Sequence, residues 1–409
     1  MHRLLLPLTK PRSWAPQLSP LVVRLCRPLR RLAQRHAEHI HDVEIRGIEH
    51  LQAALSAGHG VLITPNHCTF SDPFLLHDAV DRLGTDNRLR TGAYFMTAWQ
   101  VFGQGSWLKQ QMLRMHGAFS VDRDGADLQA FRTAIEILQH RPQPLVLFPE
   151  GEMYHLGDRI TPFHEGAAAI AIAAARKSDR PVVCLPCALK YYYLHDPTTK
   201  LAELLNRLEA ALFWRPRPDL SFVDRIYRLA EGVLSLKEIE HLGSTSTGPL
   251  PERLTRLSND ILSRLEARHR LPSEGKLPDR VKRVRRHVVA RLADQTTDVT
   301  VKALLRSDLD DLFLVVQLFC YPGDYVAQQP TLERIAETLD KLEEDIFRVP
   351  LATHRAPRAA IVSFGEAIPI EKSGDKKNAA TRLTEQLEER VQSLLDSIHA
   401  PERSFAVPH

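Results

Sequence analysis

VLITPNHCTFSD, residues Val61 to Asp72, is a short apolar run broken by Pro65 and followed by His67 and, five residues further on, Asp72. The run predicts a buried strand that ends in a turn. In open α/β sheets the ends of strands are where reacting groups gather. An Asp that accepts a hydrogen bond from one imidazole nitrogen fixes the tautomer and steadies the cationic ring. The other nitrogen can then take a proton from a hydroxyl. The plainer alternative makes His67 a polar turn residue and Asp72 a helix cap ahead of Pro73.

The pattern outward from this stretch alternates between strands and helices. Upstream, DVEIR (Asp42 to Arg46) alternates like a half-buried strand, and Glu49 to Ala57 forms a short helix that Gly58 ends. Downstream, PFLLHDAVDRL is helical, Tyr94 to Thr97 is extended, and GAFSVDR (Gly117 to Arg123) is a short extended piece. Leu128, Phe131, Ile135 and Leu138 mark an amphipathic helix stopped near Pro142. The apolar run Leu145 to Phe148 leads into Pro149, Glu150 and Gly151, and Gly166 opens an alanine-rich helix ahead of a third apolar strand, Pro181 to Leu189. Near-continuous apolar strands separated by helices predict an α/β fold with a mostly parallel central sheet flanked by helices. If the strands are parallel, His67 and Glu150 follow strand ends on one edge of the sheet. That shared edge favours chemistry over the plain turn.

Composition narrows the function classes. The 409 residues are 44% hydrophobic and 25% charged, ordinary for a globular chain, with a net charge of +4. The five cysteines are scattered, which argues against a disulfide framework and for a reducing compartment. Cys184 and Cys187 form a C-x-x-C inside an apolar run, where a regular strand sends them to opposite faces, so neither a redox pair nor a zinc site is expected. His36, His39 and His41 lack a fourth ligand at a diagnostic spacing, and no metal is expected there. No signal peptide and no apolar run of spanning length is read, which points to the cytoplasm or a cytoplasmic membrane face. Residues 1 to 37 hold no Asp or Glu but eight arginines and lysines, Arg3 and Lys10 among them, while Leu21, Val22, Leu25, Leu29 and Leu32 recur at helical spacing. Such a helix suits an anionic lipid surface, or packs on the core with its arginines in water; Pro28 interrupts it in either case. No nucleic-acid module is present.

These residues resemble the glycerophospholipid acyltransferases of the bacterial PlsC type. NHCTFSD resembles the family's N-H-x-x-x-x-D block, GAFSVDR the block whose Arg contacts substrate phosphate, FPEG (Phe148 to Gly151) the third block, and VVCLPCAL the fourth. VSFGEAIPI (Val362 to Ile370) resembles the strand that closes the domain. The resemblance implies acyl transfer from acyl-CoA or acyl-carrier protein to a lysophospholipid hydroxyl, lysophosphatidate giving phosphatidate being the commonest case. It implies no cofactor beyond that co-substrate. His67 would be the base and Asp72 its orienting partner, while Asn66, Arg123, Glu150 and Gly151 would contact substrate. The chain departs from the pattern where the family's third block continues to Thr-Arg: here Glu152 and Met153 follow, and Arg159 is the nearest downstream Arg that could substitute.

The expected organisation is a basic N-terminal segment (1–40), a core (41–190), a helical insertion (191–359), a closing strand (360–372) and a C-terminal helix with its tail (373–409). The insertion shows no tandem repeat. Its breaks fall at Pro216/Pro218, at 243–251, at 272–278 and at Pro322/Gly323, and Arg280 to Arg291 form a basic helix within it. Two other function classes fit the same residues: a non-catalytic lipid-binding scaffold, and a thioester hydrolase using the dyad to activate water.

Overall fold

A period-two alternation along the strands divides the sheet's side chains between two cores. In the computed structural model, which describes residues 12–83, 92–103, 105–123, 127–294, 296–372 and 378–399, the chain forms two units. Arg3, Lys10, Asp124 and the tail after residue 399 lie outside the described residues.

The first unit runs to Asp196 and resumes at Ala356. Its elements are α1 (Pro20–Leu25), α2 (Arg27–His36), β1 (Ile40–Arg46), α3 (Ile48–Ser56), β2 (Gly60–Pro65), α4 (Asp72–Asp81), β3 (Tyr94–Ala98), α5 (Trp99–Gly103), α6 (Trp107–Met115), β4 (Ala118–Val121), α7 (Leu128–His140), β5 (Leu145–Val146), α8 (Gly166–Lys177) and β6 (Val182–Tyr193). After the second unit, whose helices take the labels α9 to α15, come β7 (Arg358–Phe364), β8 (Ile368–Pro369) and α16 (Ala379–Ser397). The sheet order is β1-β7-β6-β2-β5-β3-β4, with β8 beside β6. All neighbours are parallel except β7 and β8 against β6, so the sheet is mostly parallel, as expected.

Val61 and Ile63 of β2, with Val183, Leu185, Cys187, Leu189 and Tyr191 of β6, join the core beneath α3 and α4. Leu62, Val182 and Cys184 join the opposite core, beneath α7, α8 and α16. Cys184 and Cys187 thus part to different faces, as a strand demands. Both are buried, which pushes the Cys184 thiol up to about 12 and Cys187 well above its ordinary value.

Three elements depart from the sequence reading. The strand expected over Pro181 to Leu189 runs on to Tyr193, because β7 pairs with its far half from Cys187 to Tyr193. The closing segment is two strands, β7 and β8, rather than one. The basic N-terminal helix is split at Cys26, with Pro28 in the first turn of α2. Its polarity is the reverse of a helix packed on the core with its arginines in water. Arg30 and Arg27 pair with Asp81 at 2.8 and 3.3 Å, and Arg31 with Asp78 at 3.1 Å, fastening the helix to α4 through its charges. The leucines face out: Leu21, Leu25, Leu29 and Leu32 are 66, 68, 64 and 55% exposed.

The second unit, Pro197–Arg355, is helical among the described residues: α9 (Thr198–Ala211), α10 (Phe222–Leu242), α11 (Leu250–His269), α12 (Leu277–Ala293), α13 (Val299–Phe319), α14 (Tyr325–Gln328) and α15 (Leu332–Phe347). The absence of a repeat, expected from sequence, is corrected here. Arg225, Arg253 and Arg280 each hold the fourth position of a helix and reach back to a fully buried glutamate near the end of the preceding one, Glu209, Glu238 and Glu266, each at 2.7 Å. Each guanidinium also donates to a polar side chain three residues before that glutamate: Asn206, Ser235 and Ser263. The clamp recurs about every 28 residues. Arg280, expected on the basic face of its helix, is therefore buried.

Candidate active site

β2 delivers Asn66, His67 and Cys68 just beyond its last paired residue, Pro65. Asn66 is fully buried. Its amide donates to Leu189 O at 3.0 Å and to Cys68 Sγ, while its Oδ1 accepts from Leu189 N at 2.7 Å. Asn66 thus ties the turn to β6. Both ends of its amide are taken up inside the fold. Cys68, also buried, turns its thiol toward Leu189 O at 3.4 Å.

His67 Nδ1 and Asp72 Oδ2 are 2.8 Å apart. The same Oδ2 accepts the backbone N–H of Cys68 and of Thr69, at 2.8 and 3.1 Å. Asp72 opens α4 with Pro73 beside it, so it closes the turn and meets the histidine at once. Its second oxygen, Oδ1, accepts the hydroxyl of Tyr191 at 2.6 Å. Four donors around one fully buried carboxylate fix its plane. The His67 side chain, 21% exposed, stacks on Phe148 with ring centroids 4.1 Å apart. With Nδ1 committed to Asp72, Nε2 is the nitrogen left for an incoming hydroxyl.

β5 lies parallel to β2, so the residues after both strands emerge on one edge of the sheet. Glu150 Oε1 accepts the His67 backbone N–H at 2.8 Å, and Oε2 accepts the N–H of Thr161 at 3.1 Å and its hydroxyl at 2.5 Å. Glu150 is buried, and burial raises its carboxyl to about 7 against the pull of those donors. Expected to shape an acceptor pocket, it faces inward and holds the loop of His67 to the loop after β5. Gly151 has φ +75°, and a Cβ there would meet the His164 ring at 2.8 Å, so the turn requires glycine. Its carbonyl accepts from Arg123 Nη1 at 2.6 Å, and the same nitrogen lies 2.7 Å from Glu152 Oε2. Arg159 is half-buried further along this loop, and the contacts that fix His67 do not involve it.

Sequence reading missed two site residues. Thr161 gave no signal, because its role depends on the loop folding back. Tyr191 fell just inside the expected insertion; the run KYYY after the third strand could have been read as continued β-structure. Among the described residues no group of three or more His, Cys, Asp or Glu is placed to hold a metal ion.

An imidazole braced by a buried carboxylate, partly open to solvent at a sheet edge, can activate a hydroxyl. No curated protein matches the chain. Residues 42–190, which span most of β1 to most of β6 and hold both His67 and Asp72, match the family model described as Acyltransferase.

Proposed function

We propose that the protein transfers a fatty acyl group from a thioester, acyl-CoA or acyl-carrier protein, to the hydroxyl of a lysophospholipid. Lysophosphatidate giving phosphatidate is the reference case that the resemblance suggests. The observation that bears most weight is the 2.8 Å contact between His67 Nδ1 and Asp72, made at the strand end that also holds Glu150 against the His67 backbone. His67 Nε2 removes the acceptor hydroxyl's proton as the oxygen attacks the thioester carbonyl. The C–S bond then breaks, and the departing thiolate takes the proton from the imidazolium. Base assistance of this kind contributes about 10²–10⁴ in rate, and holding the two reactants together adds more. Cys68 does not suit a covalent acyl intermediate, because its sulfur is buried against Asn66 and Leu189.

The outward leucines of α1 and α2 support peripheral contact with a lipid surface, where both acceptor and product reside. Trp107 and Leu108, at the start of α6, are exposed as well. Among the described residues no helix is long and apolar enough to cross a membrane.

The test is CoA release from acyl-CoA with and without lysophospholipid, for the wild type and for His67→Ala. Release that depends on acceptor and falls at least about a hundredfold in the variant, with unchanged circular dichroism, is the expected result. Release without acceptor would mean a hydrolase, and none at all a scaffold.

A further inference from the structure

We propose that Glu38, which precedes the residues matching the family model, is a positioning residue for the His67–Asp72 pair and acts on it through Ser71. The inference rests on the acyl-transfer reading and extends the machinery of that same site.

Glu38 occupies the short connection between α2 and β1. Its N–H closes the last turn of α2 on Ala33 O at 3.1 Å, and its carbonyl accepts from Arg358 Nη2 at 3.0 Å. Its side chain reaches the turn that carries the dyad, where Oε2 accepts the Ser71 hydroxyl at 2.5 Å. Ser71 is 1% exposed and immediately precedes Asp72. Its N–H donates to Thr69 Oγ1 at 2.9 Å, and the Thr69 N–H donates to Asp72 Oδ2. The turn from His67 to Asp72 is thus held from within by Thr69 and Asp72, and from outside by Glu38.

A second route joins the same two residues. The Arg358 guanidinium lies over the Tyr191 ring, 5.2 Å from its centroid, and the Tyr191 hydroxyl donates to Asp72 Oδ1. Glu38 therefore reaches Asp72 from two sides, through Arg358 and Tyr191 with its backbone and through Ser71 with its carboxylate. A hydroxyl donating to a carboxylate makes a short, directional bond. Removing the Glu38 carboxylate takes an acceptor from a buried hydroxyl and lets the turn relax. Small displacements of a reacting group are costly in rate, so the loss should appear in the chemical step. The other fastenings of α2, Arg30 to Asp81 and Arg31 to Asp78, engage the far part of α4 and supply a control.

The full chain is assayed with one acyl-CoA donor and whichever of lysophosphatidate and lysophosphatidylethanolamine the wild type acylates faster, with a thermal melt of each variant. Glu38→Ala and Ser71→Ala should each lower kcat about tenfold, with the acceptor KM within about twofold of wild type. The double variant should fall no more than about twofold below either single one, because both remove the same bond. Glu38→Gln keeps an oxygen for the Ser71 hydroxyl and should retain at least about half of wild-type kcat. Arg31→Gln loosens α2 away from the turn and should keep kcat within about twofold, even where its melting temperature falls. If Glu38→Ala does not fold, Ser71→Ala, which leaves the α2–β1 connection untouched, carries the same expectation. Wild-type kcat in Glu38→Ala or Ser71→Ala, multiplied losses in the double variant, or an equal loss in Arg31→Gln overturns the proposal and leaves the acyl-transfer reading intact. A wild type that acylates neither acceptor removes both.

Discussion

The Tyr191 hydroxyl and Asp72 Oδ1 are 2.6 Å apart inside the sheet, where β6 has run past the end of β2. Burial first, and the Asp72 charge second, push the Tyr191 phenol well above its ordinary value, so it stays a donor throughout the neutral range. The other carboxylate oxygen is thereby left to His67, Cys68 N and Thr69 N. Tyr191 acts on the base through Asp72, as a positioning residue.

Tyr191→Phe removes that donor without changing the ring. The carboxylate then loses the contact that fixes its plane, and the imidazole is held less firmly in line with the incoming hydroxyl. We expect kcat to fall about tenfold with the acceptor KM nearly unchanged. A merely structural tyrosine would lower stability and leave kcat where it was. Steady-state kinetics beside urea midpoints separate the two.

Glu150 makes stability depend on pH in an unusual direction for a carboxylate. Burial raises it to about 7 in the folded protein, against 4.5 for an unburied glutamate. Between those values the unfolded chain has lost the proton and the folded chain retains it. Folded stability from this group is therefore greatest at or below about pH 4.5, declines as pH rises to 7, and is flat above. Glu150→Gln lacks this dependence. The gap between wild type and variant in urea midpoints should move in the variant's favour from pH 5 to pH 7.5, by at most about 3 kcal/mol. A constant gap would show that Glu150 is already ionised at pH 5.

How much of this was legible depended on how local each feature is. The apolar run 61–63 and the alanine-rich helix after Gly166 announce themselves within one element, and so did the alternating α/β architecture. His67 and Asp72 are close in sequence and lie on one turn, so their meeting could be read directly. The inward turn of Glu150 could not, because it depends on Thr161 returning from a long loop. Nor could the outward face of α1 and α2: periodicity places the leucines on one stripe, but only Asp81 on a separate helix decides that Arg27 and Arg30 turn toward the fold. The repeated clamp escaped for the same reason. It consists of a few polar positions far apart, in helices whose apolar residues otherwise vary freely.

The exposed leucines make a prediction about lipid surfaces. Burying one leucine side chain contributes about 1.5–3 kcal/mol. Leu25→Glu/Leu29→Glu removes two such contacts and adds negative charge beside the exposed Arg24, so binding to vesicles with an anionic fraction should fall at least a hundredfold in a co-sedimentation assay. Activity toward a short-chain, monomeric acceptor should persist, because the dyad is untouched. Equal sedimentation of wild type and variant would mean that this face meets something other than lipid.

The helical unit should depend on its clamps one at a time. Glu238 is fully buried, and Arg253 is its partner at 2.7 Å, with Ser235 completing the site. Removing one partner leaves the other charge buried without compensation, which typically costs about 3–5 kcal/mol, whereas replacing both with apolar residues of similar volume is often close to neutral. Arg253→Ala should therefore raise the hydrogen-exchange rates of amides in α10 and α11 by about 10²–10³, while those of β2 and β6, in the other unit, keep their protection. The double variant Arg253→Met/Glu238→Leu should recover most of the loss. If the single variant exchanges like wild type, the buried pair is not what joins these helices. If the double variant is as loose as the single one, the ion pair contributes through its geometry rather than by neutralising a stranded charge.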